Sequence, residues 1–263
     1  MSLRVKSAAK TDIGLVRKTN QDSFALDDAL GLYVVCDGMG GAAGGEVASG
    51  LATQTFMATA RQELMLPGGS GNVEWIRNAV LRATLAANRA VRMRAEYDAR
   101  YRGMGTTLVS AQVTGDHLTL VNVGDSRGYL VRGGTAHQLT ADHSYVAESV
   151  RLGMMTPLEA STSSMQSVIT RAIGVEEDVM PDLFEEPLQE GDAFLLTTDG
   201  LTRHVPDTEI ARILSTPHQS AMEGCRLLIE EAKATGGSDN ITCLVVQFAA
   251  AGDEMRSGFV LRS

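Results

Sequence analysis

The stretch HLTLVNVGDSRGYLVRGGTAHQL, His117 to Leu139, decides the fold. From His117 to Val123 the chain alternates, with Leu118 and Leu120 and then Val121 and Val123 as its apolar positions. That is the period of a strand. Gly128 to Arg132 is a second β-rich run after a short turn, and Gly133-Gly134 turns the chain again towards Ala136–Leu139. A two-residue glycine turn between such runs signals a hairpin, so residues 117–139 read as an antiparallel meander. A doubly wound parallel sheet alternates strand and helix strictly, and this stretch has no room for the helices.

Further out, Leu32 to Cys36, Phe194 to Thr198 and Ile241 to Phe248 are short apolar strands. Helical spacing runs from about Glu46 to Leu64 and again from about Val73 to Glu96, where Ile76, Val80, Ala83, Ala87 and Val91 form one stripe. Leu66 to Gly71 is the loop between these two helices. Thr156-Pro157-Leu158-Glu159 has the cap, proline and glutamate of a helix start. Asp207 to Ile210 is another start, and a helix from about Ser220 to Ala234 stops at Gly236-Gly237. The expected fold class is α+β: two antiparallel sheets flanked by helices. They form one domain over residues 4–249, and a small polar tail over 250–263 has little to bury.

The 263 residues carry 23 Lys plus Arg against 32 Asp plus Glu, a net charge of −9. Such a chain repels a phosphate backbone, which argues against sequence-independent nucleic-acid binding. Cys36, Cys225 and Cys243 form no Cys-x-x-Cys pair, so neither a disulfide framework nor a thiolate zinc site is expected. Sparse cysteines and the absence of an apolar signal core in the first eleven residues favour a cytoplasmic protein. No apolar run approaches the ~20 residues that span a bilayer.

The chemistry gathers on aspartates. Three apolar strands end in one: Asp37 after Cys36, Asp125 after Gly124, and Asp199 after Thr198. Gly38, Gly124 and Gly200 stand beside them, and a fourth aspartate, Asp239, enters the strand that starts at Ile241. Each alone is an ordinary turn former. Four carboxylates brought together would repel unless a cation sat among them, and an oxygen-only donor set selects Mg²⁺ or Mn²⁺.

Thr11 to Asp22, Asp37-Gly38-Met39-Gly40-Gly41, Gly105-Thr106-Thr107, Gly124-Asp125-Ser126-Arg127, Asp199-Gly200-Leu201 and Ser238-Asp239-Asn240-Ile241-Thr242 appear in that order. Singly they are weak motifs; as an ordered set the chain resembles the metal-dependent protein phosphatases, the type 2C serine/threonine class in its compact bacterial form. The resemblance implies a four-layer α-β-β-α sandwich and hydrolysis of phosphoserine and phosphothreonine in proteins by a water activated between two ions. It implies that Asp37 bridges the ions, that Gly38 offers its carbonyl, and that Asp199 and Asp239 complete the pair. Asp125 with Asp199 would hold a weaker third ion, Arg17 would grip the phosphate, and Asp22, Gln21 and Asn240 would support the ligands from behind. The implied partners are phosphorylated proteins, a serine/threonine kinase among them, met by a monomer.

The chain departs from the family pattern in three places. Met39 stands where some eukaryotic relatives place a histidine, Gln21 where many have a glutamate. Ser161 to Gln166 replaces a His-Pro-x-x-Asn stretch in the flap, which the resemblance sets at about residues 144–175. His143 is expected to be structural, with catalysis as the minor alternative. Two other functions stand beside the leading one: a binding module on the same fold that has lost catalysis, and a small-molecule phosphoesterase.

Overall fold

The computed structural model describes residues 3–66 and 71–250. The tail expected over 250–263 therefore falls outside the described residues from 251 onward, as does most of the glycine-rich stretch between the long helices.

Eleven strands form two antiparallel sheets among the described residues. One sheet runs β1 (Leu3–Asp12), β11 (Ile241–Ala250), β10 (Ala193–Thr197), β7 (Arg127–Arg132), β8 (Thr135–Gln138). The other runs β2 (Asp22–Asp27), β3 (Leu32–Met39), β5 (Leu108–Thr114), β6 (His117–Val123), β9 (Asp182–Pro187), with the two-residue β4 (Gly105–Thr106) against the end of β3. Helices α1 (Gly41–Leu64) and α2 (Val73–Tyr97) cover the second sheet, while α5 (Asp199–Thr202), α6 (Asp207–Leu214) and α7 (Ala221–Ala234) cover the first. Two short helices, α3 (Tyr145–Arg151) and α4 (Pro157–Thr162), lie in the segment between β8 and β9.

The layering follows from strands that are apolar on both faces. Along β3, Leu32, Val34 and Cys36 face the α1–α2 layer, while Tyr33 and Val35 face the other sheet. Along β11, Ile241, Cys243 and Val245 face α7, while Leu244, Val246 and Phe248 enter the space between the sheets. Period-two side chains and burial on both faces give four layers, α-β-β-α, as expected. The cysteines are free and buried, acting as small core side chains.

Two expectations are corrected. The stretch 117–139 is not one meander: β6 pairs with β5 and β9, whereas β7 pairs with β8 and β10 in the opposite sheet. Only Gly133-Gly134 makes a hairpin. Gly124, at φ +107°, lets the chain cross between sheets directly over Thr107, whose side chain a Cβ there would meet at 2.6 Å. The crossing leaves Asp125 between the sheets. Second, α1 starts at Gly41 rather than near Glu46. Its glycine-rich first turn packs against the end of β3, where a Cβ on Gly45 would come within 2.7 Å of the Gly38 carbonyl. Close backbone packing overrides the poor helix propensity of glycine.

Candidate active site

Asp37 lies near the end of β3, and Asp22 opens β2 directly opposite it in register. Asp199 follows β10 as the first residue of α5, Asp239 precedes β11, and Asp125 lies on the crossing between the sheets. All five reach the same end of the sandwich. A cleft of ≈ 440 Å³ opens there, lined by Arg17, Asp37, Gly38, Asp125, Asp199 and Asp239 among others, with Ser167 and Ile169 reaching it from the segment after α4.

Buried hydrogen bonds fix the backbone of this floor. The Asp37 N–H donates to Thr107 Oγ1 (2.9 Å), and its carbonyl accepts from Thr106 Oγ1 (2.7 Å) and the Thr107 N–H (2.8 Å). The Gly38 N–H donates to the Gln21 carbonyl (3.0 Å). Asn240 ties three strands of chain together. Its Oδ1 accepts from the Gln21 N–H (2.8 Å), and its Nδ2 donates to the carbonyls of Ile13 and Thr19 (3.0 Å each). Asp22 Oδ2 accepts from Thr198 (2.9 Å) and Thr242 (2.7 Å), so the two sheets meet on one carboxylate. Gln21 and Asn240 themselves line the cleft, whereas Asp22 does not, and Gln21 also donates from Nε2 to the Gly41 carbonyl (2.8 Å).

The charges are heavily perturbed. Burial, with like charges nearby, raises the Asp22 and Asp125 carboxyls to about 7. Burial likewise raises Asp37 well above the usual carboxylate range, with Asp22 and Asp199 adding to it. Asp199 is raised by burial too, although Arg203 partly offsets this. Asp239 is paired with Arg17 at 2.7 Å, and Asp199 contacts Arg203. With these two carboxylates turned onto arginines, no three His, Cys, Asp or Glu side chains among the described residues close round a single ion.

Two buried carboxylate oxygens, Asp22 Oδ1 and Asp199 Oδ1, have no hydrogen-bond partner. An unpartnered buried carboxylate oxygen is costly, and a hard cation satisfies it. The donor set, all oxygen, fits Mg²⁺ or Mn²⁺. Gly38 fits as well: a side chain there would collide with the Gly45 carbonyl at 2.0 Å.

His143 lies behind Asp125. Its Nδ1 accepts from the Gly124 N–H (3.1 Å), which puts the ring proton on Nε2, 3.1 Å from Asp182 Oδ2. Burial lowers its pKa, so the neutral ring is a structural tie away from the cleft. Arg203 and Ser167 escaped the sequence reading. Arg203 carries a signal in hindsight, since it follows Asp199 by four residues, the spacing of neighbours on a helix.

Comparison with known proteins bears on the same end of the molecule. The family model described as Protein phosphatase 2C matches residues 16–231. The chain is 37% identical over 241 residues to the serine/threonine phosphatase stp of Listeria welshimeri, covering 90% of this chain and 94% of that one. The crystal structure of the Mycobacterium tuberculosis serine/threonine phosphatase PstP/Ppp superposes with a TM-score of 0.84 at 36% identity, over 94% of this chain and 99% of that one. The catalytic domain of PstP in complex with two manganese ions gives 0.82 at 36% identity, over 95% and 100%. Family match, fold and carboxylate-lined cleft agree: this chain belongs to the protein phosphatase 2C family.

Proposed function

We propose that this chain hydrolyses phosphoserine and phosphothreonine in proteins, opposing a bacterial serine/threonine kinase, with Mg²⁺ or Mn²⁺ as cofactor. The observation that carries the reading is the buried, unpartnered Asp199 Oδ1 among carboxylates raised by burial and, secondarily, by one another's charge. Asp37, the Gly38 carbonyl, Asp199 and Asp239 would hold two ions, and Asp125 with Asp199 would hold a weaker third. When bound, the ions acidify water and neutralise charge on the phosphoryl group. Arg17, paired with Asp239 at 2.7 Å, carries the guanidinium fork that would take two phosphate oxygens. Asp22, Gln21 and Asn240 keep the ligand-bearing loops in place.

No side chain here is set up as a covalent nucleophile. Burial pushes the Cys36 and Cys225 thiols up to about 12, and Cys243 is buried beside Cys225. Met39 lines the cleft and has no proton to give the departing alkoxide. Residues 144–175 form a flap over one wall, and residues 4–249 make up the catalytic unit. The protein works as a cytoplasmic monomer. No helix among the described residues is long and apolar enough to cross a membrane.

The test is phosphate release from a phosphothreonine peptide. Release with Mn²⁺ that stops with chelator supports the reading. Full activity in chelator after metal removal overturns the metal role, and hydrolysis of small esters with none of the peptide overturns the protein substrate.

A further inference from the structure

Arg203 reaches from the end of α5 in two directions. Nη2 contacts Asp199 Oδ2, and Nη1 donates to Ser167 Oγ at 3.3 Å. Ser167 belongs to the segment carrying α3 and α4. Arg203 also walls an adjoining groove of ≈ 750 Å³ that Asp125 and Asp199 share with Val146, Val150 and Ala160. The guanidinium therefore sits at the corner where the crossing between sheets, the end of β10 and the flap come together. The two oxygens of Asp199 are divided: Oδ1 is buried with no partner, while Oδ2 is held by the arginine.

We propose that Arg203 is the resident cation of the Asp125–Asp199 corner, holding Asp199 Oδ2 and pinning the flap through Ser167. A third divalent ion binds there only by displacing it. The proposal rests on the metal-dependent reading above. A guanidinium cannot yield by losing its proton, so it must move. Moving it breaks the Ser167 bond, so third-ion binding and flap release are one coupled event, and each favours the other equally. The two tighter ions would draw on the free Asp199 Oδ1, which Arg203 does not hold.

The experiment is calorimetric Mn²⁺ titration of the full chain and of Arg203→Gln, Arg203→Lys and Ser167→Ala, with melting curves to establish folding. Chymotryptic cleavage within residues 145–168 is the second readout. An adjacent opposite charge biases a carboxylate's cation affinity by about 10- to 1000-fold. Arg203→Gln is therefore expected to bind the third Mn²⁺ about tenfold more tightly or better, with the tight pair unchanged. Arg203→Lys, which keeps the charge without the fork, falls between. Metal-free Arg203→Gln and Ser167→Ala are cleaved in the flap faster than wild type, and wild type speeds up as the third site fills. A tight pair with the same third-site affinity in wild type and Arg203→Gln overturns this proposal alone, as does flap cleavage that ignores both variants. Absence of any Mn²⁺ binding in the wild type overturns the metal-dependent reading and this proposal with it.

Discussion

The carboxylates of the cleft floor stand on strand ends clamped by buried hydrogen bonds, whereas the flap beside them carries two short helices and a row of solvent-facing apolar side chains. On the floor, Asp37 has its N–H and its carbonyl bonded, and Asp125 and Asp199 are buried. In the flap, Leu152, Met154 and Leu158 are each more than two-thirds exposed. The flap is secured mainly at its neck, where the Thr170 N–H donates to the His143 carbonyl and the Tyr145 N–H to the Val168 carbonyl (2.8 Å each). Rigid elements hold chemistry to sub-ångström geometry, and weakly packed segments open and re-dock cheaply. The floor accepts charge repulsion to concentrate its carboxylates, and the flap leaves apolar surface uncovered.

The largest effect belongs to the floor. Asp37→Asn or Asp239→Asn is expected to lower phosphopeptide turnover by about 10³-fold or more, the upper range for losing a main electrostatic stabiliser. Near-wild-type kcat in either variant would move the chemistry off this floor. Arg17→Ala comes next. A charge-assisted bond to phosphate is worth about 1.5–3 kcal/mol, so kcat/KM should fall roughly tenfold to a few hundredfold. Unchanged kinetics with phosphate inhibition intact would place the phosphate elsewhere.

A subtler measurement reads the cost of burying charge in the floor. Burial, then Asp199, raises the Asp125 carboxyl to about 7, above its unfolded value. The stability this group contributes is therefore full below about pH 4 and is lost as pH rises through about 7. In the metal-free chain, Asp125→Asn should gain stability relative to wild type between pH 5 and pH 8, on the order of 1–3 kcal/mol. Comparing variant with wild type cancels His143, whose lowered pKa acts in the opposite sense. A difference that stays constant across that range would show that the floor is not strained by its charges. The smallest effect lies in the flap: Leu158→Ser should change stability by less than about 0.5 kcal/mol and leave aryl phosphate hydrolysis intact, while lowering turnover of a phosphoprotein. Equal loss on both substrates would erase the contrast between floor and flap.

Much of this was legible along the chain. The stripe from Ile76 to Val91 marks α2, and Thr156-Pro157-Leu158-Glu159 builds the capping box that starts α4. Ser220 caps α7 as its position suggests. Asp37, Asp125, Asp199 and Asp239 stand out because each adjoins a strand with glycine close by, and the structure brings all four to one cleft. The flap helix α3 went unread. Its seven residues offer too little periodicity to register, and only Ser149 among them is buried.

The amino-acid sequence specifies most of the elements locally, because caps, glycines and side-chain period act within a few residues of one another. It also determined the four layers, because β3, β10 and β11 are apolar on both faces and need a partner on each. The tertiary structure alone decided which sheet each strand joins. Residues 117–132 are compatible with a hairpin, yet β6 and β7 part across Gly124, which lies tight against Thr107, and pair in opposite sheets. It alone decided that α1 begins in glycines packed on Gly38, that Asn240 ties Gln21 to Ile13 and Thr19, and that Arg203 spans Asp199 and Ser167. Those partners lie from 4 to more than 200 residues apart along the chain. Most of these meetings are fixed by how layers stack, a choice that no local preference of the backbone encodes.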